Sequence, residues 1–350
     1  MINKFLILVL ALMFNLQSFV HAGEEREVDL IVIAAPSILD IEDDPFFAEI
    51  IDDIIEFDIA YANAIYGNDE IILLVDGATR PYFEGRVPES ILVEAQPQHI
   101  WMRDFTTVNP HQPIQFRYTA ATFENDQLTA DAIQNDFNTV LKRAGIEQRK
   151  AYFAGKQLLL DGGNIVDNYA GRVITTERFL KDNELTKQQG IDALKLLLGA
   201  EQVAIIPSDE PIMAHSDGMV MFSDANTLFV NRYEGSFRRQ LISELKSAFP
   251  GINLVEIDAK WDEEETSACG INLNATVTSN YIYMPHFADD ESDAAMVLIS
   301  RYSDKTVIPI PAKGVCKLGG SVRCLSWQQS GVRGTAVLKK LKAAALSKTL

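Results

Sequence analysis

Five polar residues recur along this chain at nearly even intervals. They are Asp104, Asp161, Asp217, Asn274 and Cys324, separated by 57, 56, 57 and 50 residues. A fixed period of this size marks a repeat architecture, in which each unit is one supersecondary structure that cannot bury its apolar face alone. The first four residues each lead into a segment that reads as a β-hairpin. Asp104 precedes strands at 105–108 and 114–118, and Asp161 precedes 165–167 and 172–176. Asp217 precedes 219–222 and 227–230, and Asn274 precedes 275–278 and 281–284. If the units stand around an axis, one residue from each faces the same central point. The spacing therefore predicts a fold and a site together, with three carboxylates, an amide and a thiol in one pocket.

Between consecutive marked residues the pattern continues as helix, then strand. Helical spacing of apolar residues covers 129–144, 184–198, 236–249 and 289–302, and each is followed by an extended run, at 149–153, 202–206, 253–257 and 306–310. In 184–198, Ile191, Leu194, Leu197 and Leu198 share one face, and Gly199 is placed to stop the helix. An N-terminal unit fits the same plan, with a strand at 30–34, a helix at 45–65 and a strand at 71–75. A basic amphipathic helix at 335–346 is expected to pack back on that first unit. The chain reads as α/β, a single domain over 23–350 built as a five-bladed pseudo-symmetric β/α propeller. No Gly-x-Gly-x-x-Gly or Walker loop follows an early strand, and no His/Cys cluster has metal-ligand spacing. Neither a cofactor nor a metal is expected.

The first 22 residues read as a secretory leader. Lys4 supplies the basic start, residues 5–14 are almost all apolar, and Val20-His21-Ala22 resembles a cleavage site. The apolar run is too short to span a bilayer, so the expectation is a secreted or periplasmic protein without stable membrane insertion. The formal net charge of −18 argues against nucleic acid and favours a cationic partner, although solubility alone would explain it. The chain has 3 cysteines, Cys269, Cys316 and Cys324. In an oxidising compartment an odd count leaves a thiol unpaired. That thiol is either a buried inert cysteine or a nucleophile kept free, and a Cys269–Cys316 disulfide stays open.

The third unit contains His215-Ser216-Asp217. On an extended segment a period of two turns His215 and Asp217 to one face, where the carboxylate raises the imidazole pKa and keeps it an acid near neutrality. A histidine alone says little; its place in the periodic series singles this one out. Cys324 follows Gly319-Gly320-Ser321-Val322-Arg323, with glycines that allow close backbone approach and an arginine whose charge favours thiolate. Cysteine with histidine makes a nucleophile and acid/base pair. The surrounding carboxylates suit a protease poorly, because acyl transfer needs donors for an oxyanion. They do suit a guanidinium, which is planar, cationic and forked for bidentate carboxylates. Asp104 and Asp217 could hold such a group while the thiolate attacks its central carbon.

The motifs Trp101-Met102-Arg103-Asp104, Leu160-Asp161-Gly162-Gly163-Asn164, His215-Ser216-Asp217, Asn274 and Gly320-Ser321-Val322-Arg323-Cys324 together resemble the agmatine deiminase and bacterial (Porphyromonas-type) peptidylarginine deiminase family, part of the pentein superfamily. The resemblance implies Cys324 as nucleophile, His215 as acid/base and Asp104 and Asp217 as guanidinium ligands, with no cofactor. It also places Asn274, Asp161, Trp101 and Arg323 in the substrate pocket. Three departures concern the far end of the substrate. Phe105 is followed by Thr106 and Thr107 where the family's motif continues Gly-Pro. The nucleophile follows Arg323 where relatives often carry histidine. Residues 119–125 offer no arginine of the kind that reads a substrate carboxylate. The expectation is an exported deiminase that converts the guanidinium of peptidylarginine, agmatine or arginine to a ureido group and ammonia. Its rivals are amidino transfer to an amine and a noncatalytic protein that binds a cation.

Overall fold

The computed structural model describes residues 27–37, 45–121, 123, 125–210, 213–260, 267–347 and 350. The expected leader lies outside the described residues. The first unit runs from β1 (Leu30–Ala34) through helix α1 (Pro45–Ile65) to β2 (Glu70–Val75) and a short β3 (Leu92–Glu94), with parallel pairing throughout. β1 is buried on both faces. Ile31 and Ile33 join one core with α1, while Leu30, Val32 and Ala34 join a second. Two-sided burial is what turns a strand into a continuous apolar run.

The second unit departs from expectation. Met102–Phe105 closes a single helical turn, α2. Of the predicted hairpin, the described residues keep one ladder bond, Val108 N–H to the Ile114 carbonyl at 3.1 Å. The Phe105 carbonyl instead accepts from the side-chain amides of Gln115 and Gln134 at 2.8 and 2.9 Å. A backbone acceptor satisfied by side chains needs no partner strand. β4 (Ile114–Gln115) pairs in parallel, across helix α3 (Gln127–Arg143), with β5 (Arg149–Lys150). The run expected as one strand at 149–153 divides at the buried Ala151, and β6 (Tyr152–Phe153) turns back on β7 (Lys156–Gln157).

The remaining units follow the predicted order. β8 (Val166–Asp167) and β9 (Arg172–Thr176) form a hairpin, two helices follow, and β10 (Gln202–Ile206) returns parallel to β9. The helical stretch begins later than its apolar spacing suggested. Glu184, with φ 55°, caps the short α4 (Arg178–Asn183), and α5 (Lys187–Leu198) starts at a capping box of Thr186 and Gln189. Gly199 ends α5 in the left-handed conformation at φ 66°. The fourth unit is β11 (Val220–Phe222), β12 (Thr227–Asn231), α6 (Gly235–Ala248) and β13 (Asn253–Ile257). The fifth is β14 (Thr276–Val277), β15 (Tyr281–His286), α7 (Asp290–Tyr302) and β16 (Thr306–Pro311). In both, an antiparallel hairpin is extended by a parallel strand.

A last strand, β17 (Trp327–Gln329), went unpredicted. It pairs antiparallel with β1, and α8 (Gly331–Leu346) packs over β1, β3 and β17. The C-terminal segment therefore completes the first unit, where the tail helix was expected. The sheets remain separate, and none closes on itself among the described residues. No described helix is long and apolar enough to cross a membrane.

Candidate active site

The five periodic residues meet at one point because each sits in a turn just before or between strands. Asp104 rides on α2, whose Arg103 N–H donates to the Cys324 carbonyl at 3.1 Å. Asp161 precedes the helical turn Gly162–Asn164, and His215 precedes the turn Ser216–Gly218. Asn164 ties the two together, its Oδ1 accepting from Thr176 N–H at 3.0 Å and Ser216 N–H at 3.3 Å. Two glycines permit this density. A Cβ on Gly163 would stand 2.6 Å from His215 Nδ1 and 2.9 Å from Asp104 Oδ1, and one on Gly320 would stand 2.5 Å from the Trp101 ring. Each contact is closer than real Cβ atoms approach, so backbone fills space that a side chain would block.

His215 lies between two carboxylates. Its Nε2 is 3.1 Å from Asp161 Oδ2, and its Nδ1 is 3.8 Å from Asp104 Oδ1. Burial alone would lower the imidazole pKa, but the charges of Asp104, Asp161 and Asp217 outweigh it and push the pKa up to about 9. His215 is therefore a cation at neutral pH. Asp161 also accepts from Thr119 N–H at 2.9 Å and Thr119 Oγ1–H at 2.8 Å, and Arg178 Nη2 stands 3.1 Å away. Burial works to raise its pKa, but the His215 hydrogen bond and charge, with Arg178, hold it below the usual carboxylate value. Asp104 accepts from Gly163 N–H at 3.0 Å. Burial raises its pKa to about 6, and the nearby His215 charge opposes that rise.

The nucleophile has different neighbours. Cys324 Sγ accepts from the Asn274 amide at 3.1 Å and lies 4.0 Å from Asp217 Oδ2. Asn274 Oδ1 in turn accepts from Ser321 Oγ–H at 3.1 Å, Arg323 N–H at 3.2 Å and Cys324 N–H at 3.3 Å. One amide thus fixes the loop and touches the sulfur. Burial, then the charges of Asp217 and Asp104, push the thiol pKa well above its ordinary value. Arg323 donates to Asp217 at 2.7 Å and to the Ile165 carbonyl at 2.6 Å. A Cys269–Cys316 disulfide joins the segments that lead into Asn274 and Cys324, and Cys324 stays free and buried.

All eight sequence-predicted residues come together, but three have neighbours that expectation did not give them. Asp161 holds His215. Arg323, expected in the substrate pocket, spends its guanidinium on Asp217 and faces a separate cavity of about 340 Å³ lined by the hairpin-turn residues Asp167, Tyr169, Asp224 and Ser279. Asn274 contacts the thiol directly. Trp101 packs on Gly320 beside Cys324. Sequence reasoning missed Thr119, Gly163 and Arg178. Gly163 was visible in the Asp-Gly-Gly-Asn run, whereas Thr119 and Arg178 carry no local pattern. Among the described residues no group of three or more His, Cys, Asp and Glu is placed to hold a metal ion.

A family model for Porphyromonas-type peptidyl-arginine deiminase matches residues 24–330. The agmatine deiminase of C. jejuni superposes with a TM-score of 0.70, covering 87% of this chain and 93% of its own at 19% identity. A substituted form of that enzyme with substrate bound gives 0.69, with the same coverage, at 18% identity. An agmatine deiminase of Enterococcus faecalis gives 0.65, covering 88% of this chain and 94% of its own, at 14% identity. At these identities the likeness to the solved structures is one of fold, a mixed α/β fold of pentein type.

Proposed function

The chain belongs to the Porphyromonas-type peptidyl-arginine deiminase family, hydrolases of carbon–nitrogen bonds, and from that premise we propose that it hydrolyses an arginine-like guanidinium to a ureido group, releasing ammonia. One observation carries the reading: an unpaired thiol and a cationic imidazole share a buried site with Asp104 and Asp217. Burial first, and then the charges of Asp217 and Asp104, keep Cys324 protonated. A guanidinium bound by those carboxylates would place a cation beside the sulfur that offsets both, so that the thiol proton passes to solvent. The thiolate then attacks the central guanidinium carbon. His215, already protonated, gives its proton to the departing nitrogen, and ammonia leaves. A cationic amidino group stays on sulfur. Neutral His215 next takes a proton from a water that adds to the same carbon. Collapse expels the thiolate, the new hydroxyl proton passes to solvent, and the ureido product is free.

The same convergence supports a ring of five blades around a pseudo-fivefold axis. Asp104, Asp161, Asp217 and Asn274 lead the second to fifth units. Cys324 precedes β17, which pairs into the first. An exported location fits the leader-like residues 1–22 and the Cys269–Cys316 disulfide, since such bonds persist in oxidising compartments. Export in turn favours peptidylarginine as substrate over a metabolite of the cell interior. The test is incubation of the mature protein with agmatine, arginine, and peptides bearing internal or C-terminal arginine, with ureido product and ammonia assayed. Turnover of the peptides above the free amine and amino acid is expected. Silence on all four sinks the hydrolase reading, and product formed only with an added amine acceptor replaces hydrolysis with amidino transfer.

A further inference from the structure

Arg178 opens α4, immediately after Glu177, and its side chain is only 9% exposed. A buried guanidinium is costly unless its fork is filled, and here it bridges four separate segments. Nη2 lies 3.1 Å from Asp161 Oδ2 and donates to Thr119 Oγ1 at 2.5 Å. Nε donates to Asp182 Oδ2 at 3.0 Å, and Nη1 donates to the Met213 carbonyl. The last contact matters because Met213 and Ala214 carry the chain into His215. Ala214 has φ 51°, a left-handed conformation that side chains other than glycine seldom adopt. Its carbonyl is held by Thr176 Oγ1–H at 2.7 Å. Arg178 therefore grips both His215's carboxylate partner and the backbone that delivers His215.

We propose that Arg178 is a positioning residue for His215, acting through the Asp161 carboxylate and the Met213–Ala214 backbone. This rests on the reading of His215 as the acid/base of a guanidino hydrolase. The charges facing His215 are Asp104 from α2, Asp161 before the first helical turn and Asp217 within the second. Arg178 and its partner Asp182 stand behind Asp161, and Arg323 stands behind Asp217. Arg178 is the cation beside Asp161, so it limits how tightly Asp161 can hold the imidazolium proton. Loss of that cation leaves His215 harder to deprotonate, so it gives its proton less readily to the departing nitrogen, and the basic limb of the activity moves to higher pH.

The full chain is compared as wild type, R178K and R178Q, with folding checked by thermal melts. The His215 ring is titrated by NMR, its signal assigned from the His215→Asn variant, and kcat and KM are measured across pH. In R178Q the His215 midpoint is expected to rise by about one pH unit through loss of a nearby charge, with kcat down roughly tenfold to a hundredfold. R178K keeps the charge and loses the fork, so its midpoint stays with wild type while kcat falls at little-changed KM. An unmoved midpoint in folded R178Q overturns the proposal. If R178Q does not fold, R178K carries the test, and wild-type kcat in it overturns the proposal. If the wild type turns over no guanidinium compound, the functional reading fails by itself, and the titration still decides whether Arg178 sets the His215 proton.

Discussion

The two halves of the site use the same residue type to opposite ends. Around His215, the carboxylates of Asp104 and Asp161 stabilise a cation and push its pKa up to about 9. Around Cys324, burial and then the carboxylate charges of Asp217 and Asp104 disfavour an anion and keep the thiol protonated. One half is armed at rest, and the other waits for a cation to arrive. The difference lies in the sign of the group that the carboxylates face, and it makes thiolate formation contingent on a guanidinium ligand.

The largest expected effect comes from deleting the nucleophile half. Cys324→Ala should abolish turnover and also all alkylation of the native protein, since it is the free cysteine of this chain. Full kcat in that variant would remove Cys324 from the mechanism. In the wild type, alkylation at neutral pH should be slow and should be altered by a guanidinium ligand that binds without reacting. Unaltered alkylation in the presence of saturating ligand would break the contrast between the two halves.

The acid/base half should fail less completely. His215→Gln should lower kcat by about 10²–10⁴-fold, the usual weight of a positioned acid/base. The pH profile sharpens the comparison. Asp104, with its pKa raised to about 6, takes up a proton below that value and loses its hold on a cation. His215 gives up its proton above about 9 and can no longer protonate leaving ammonia. Thus kcat/KM should fall on both sides of that window. Asp104→Asn should erase the acidic limb while weakening binding. A flat profile from pH 5 to 10 would show that neither group titrates as its surroundings dictate.

Much of this was legible in the sequence, and the remainder was hidden for definite reasons. Period and hairpin chemistry located all five periodic residues, and strands such as 202–206 and 253–257 matched to the residue. The failures fall where a partner lies far away in sequence or where side chains replace backbone as partner. The hairpin at 105–118 dissolved because Gln115 and Gln134 took the Phe105 carbonyl, and glutamines have no periodicity to read. Arg323, which the family resemblance put in the substrate pocket, is held by Asp217, a partner 106 residues away that no local pattern reveals. β17 was missed because its partner β1 lies at the opposite end of the chain.

A smaller effect, now on stability, should come from the disulfide that joins the two segments of the nucleophile half. Cys269 and Cys316 close a loop of sequence separation 47. Chain-entropy reasoning puts its contribution at up to about 4 kcal/mol. The paired Cys269→Ser and Cys316→Ser variant should melt lower and, because the loop feeds Asn274 and Cys324, lose more activity than a variant equally destabilised elsewhere. Equal losses would mean that the link serves the fold alone.

The smallest effect comes from a carboxyl outside the site. Asp58, on α1, is 1% exposed, and both its oxygens lack hydrogen-bond partners within the described structure. Asp161 is just as deeply buried but fully partnered, and its pKa is lowered, whereas burial alone drives that of Asp58 well above the ordinary value. The consequence for stability has a definite sign. A carboxyl whose folded pKa is raised holds a proton that the unfolded chain releases, so it costs stability as pH rises above the unfolded value near 4. Asp58→Val removes the unpaired group in a similar shape. Its gain should be about 1 kcal/mol near pH 4, the usual cost of an unsatisfied buried polar group less a small loss of helix propensity, and should grow toward neutral pH as the unfolded chain releases the proton that the folded carboxyl keeps. Chemical denaturation at the two pH values measures it. A gain independent of pH would mean that Asp58 does not titrate differently in the fold, and a loss would mean that its carboxyl has found a partner after all.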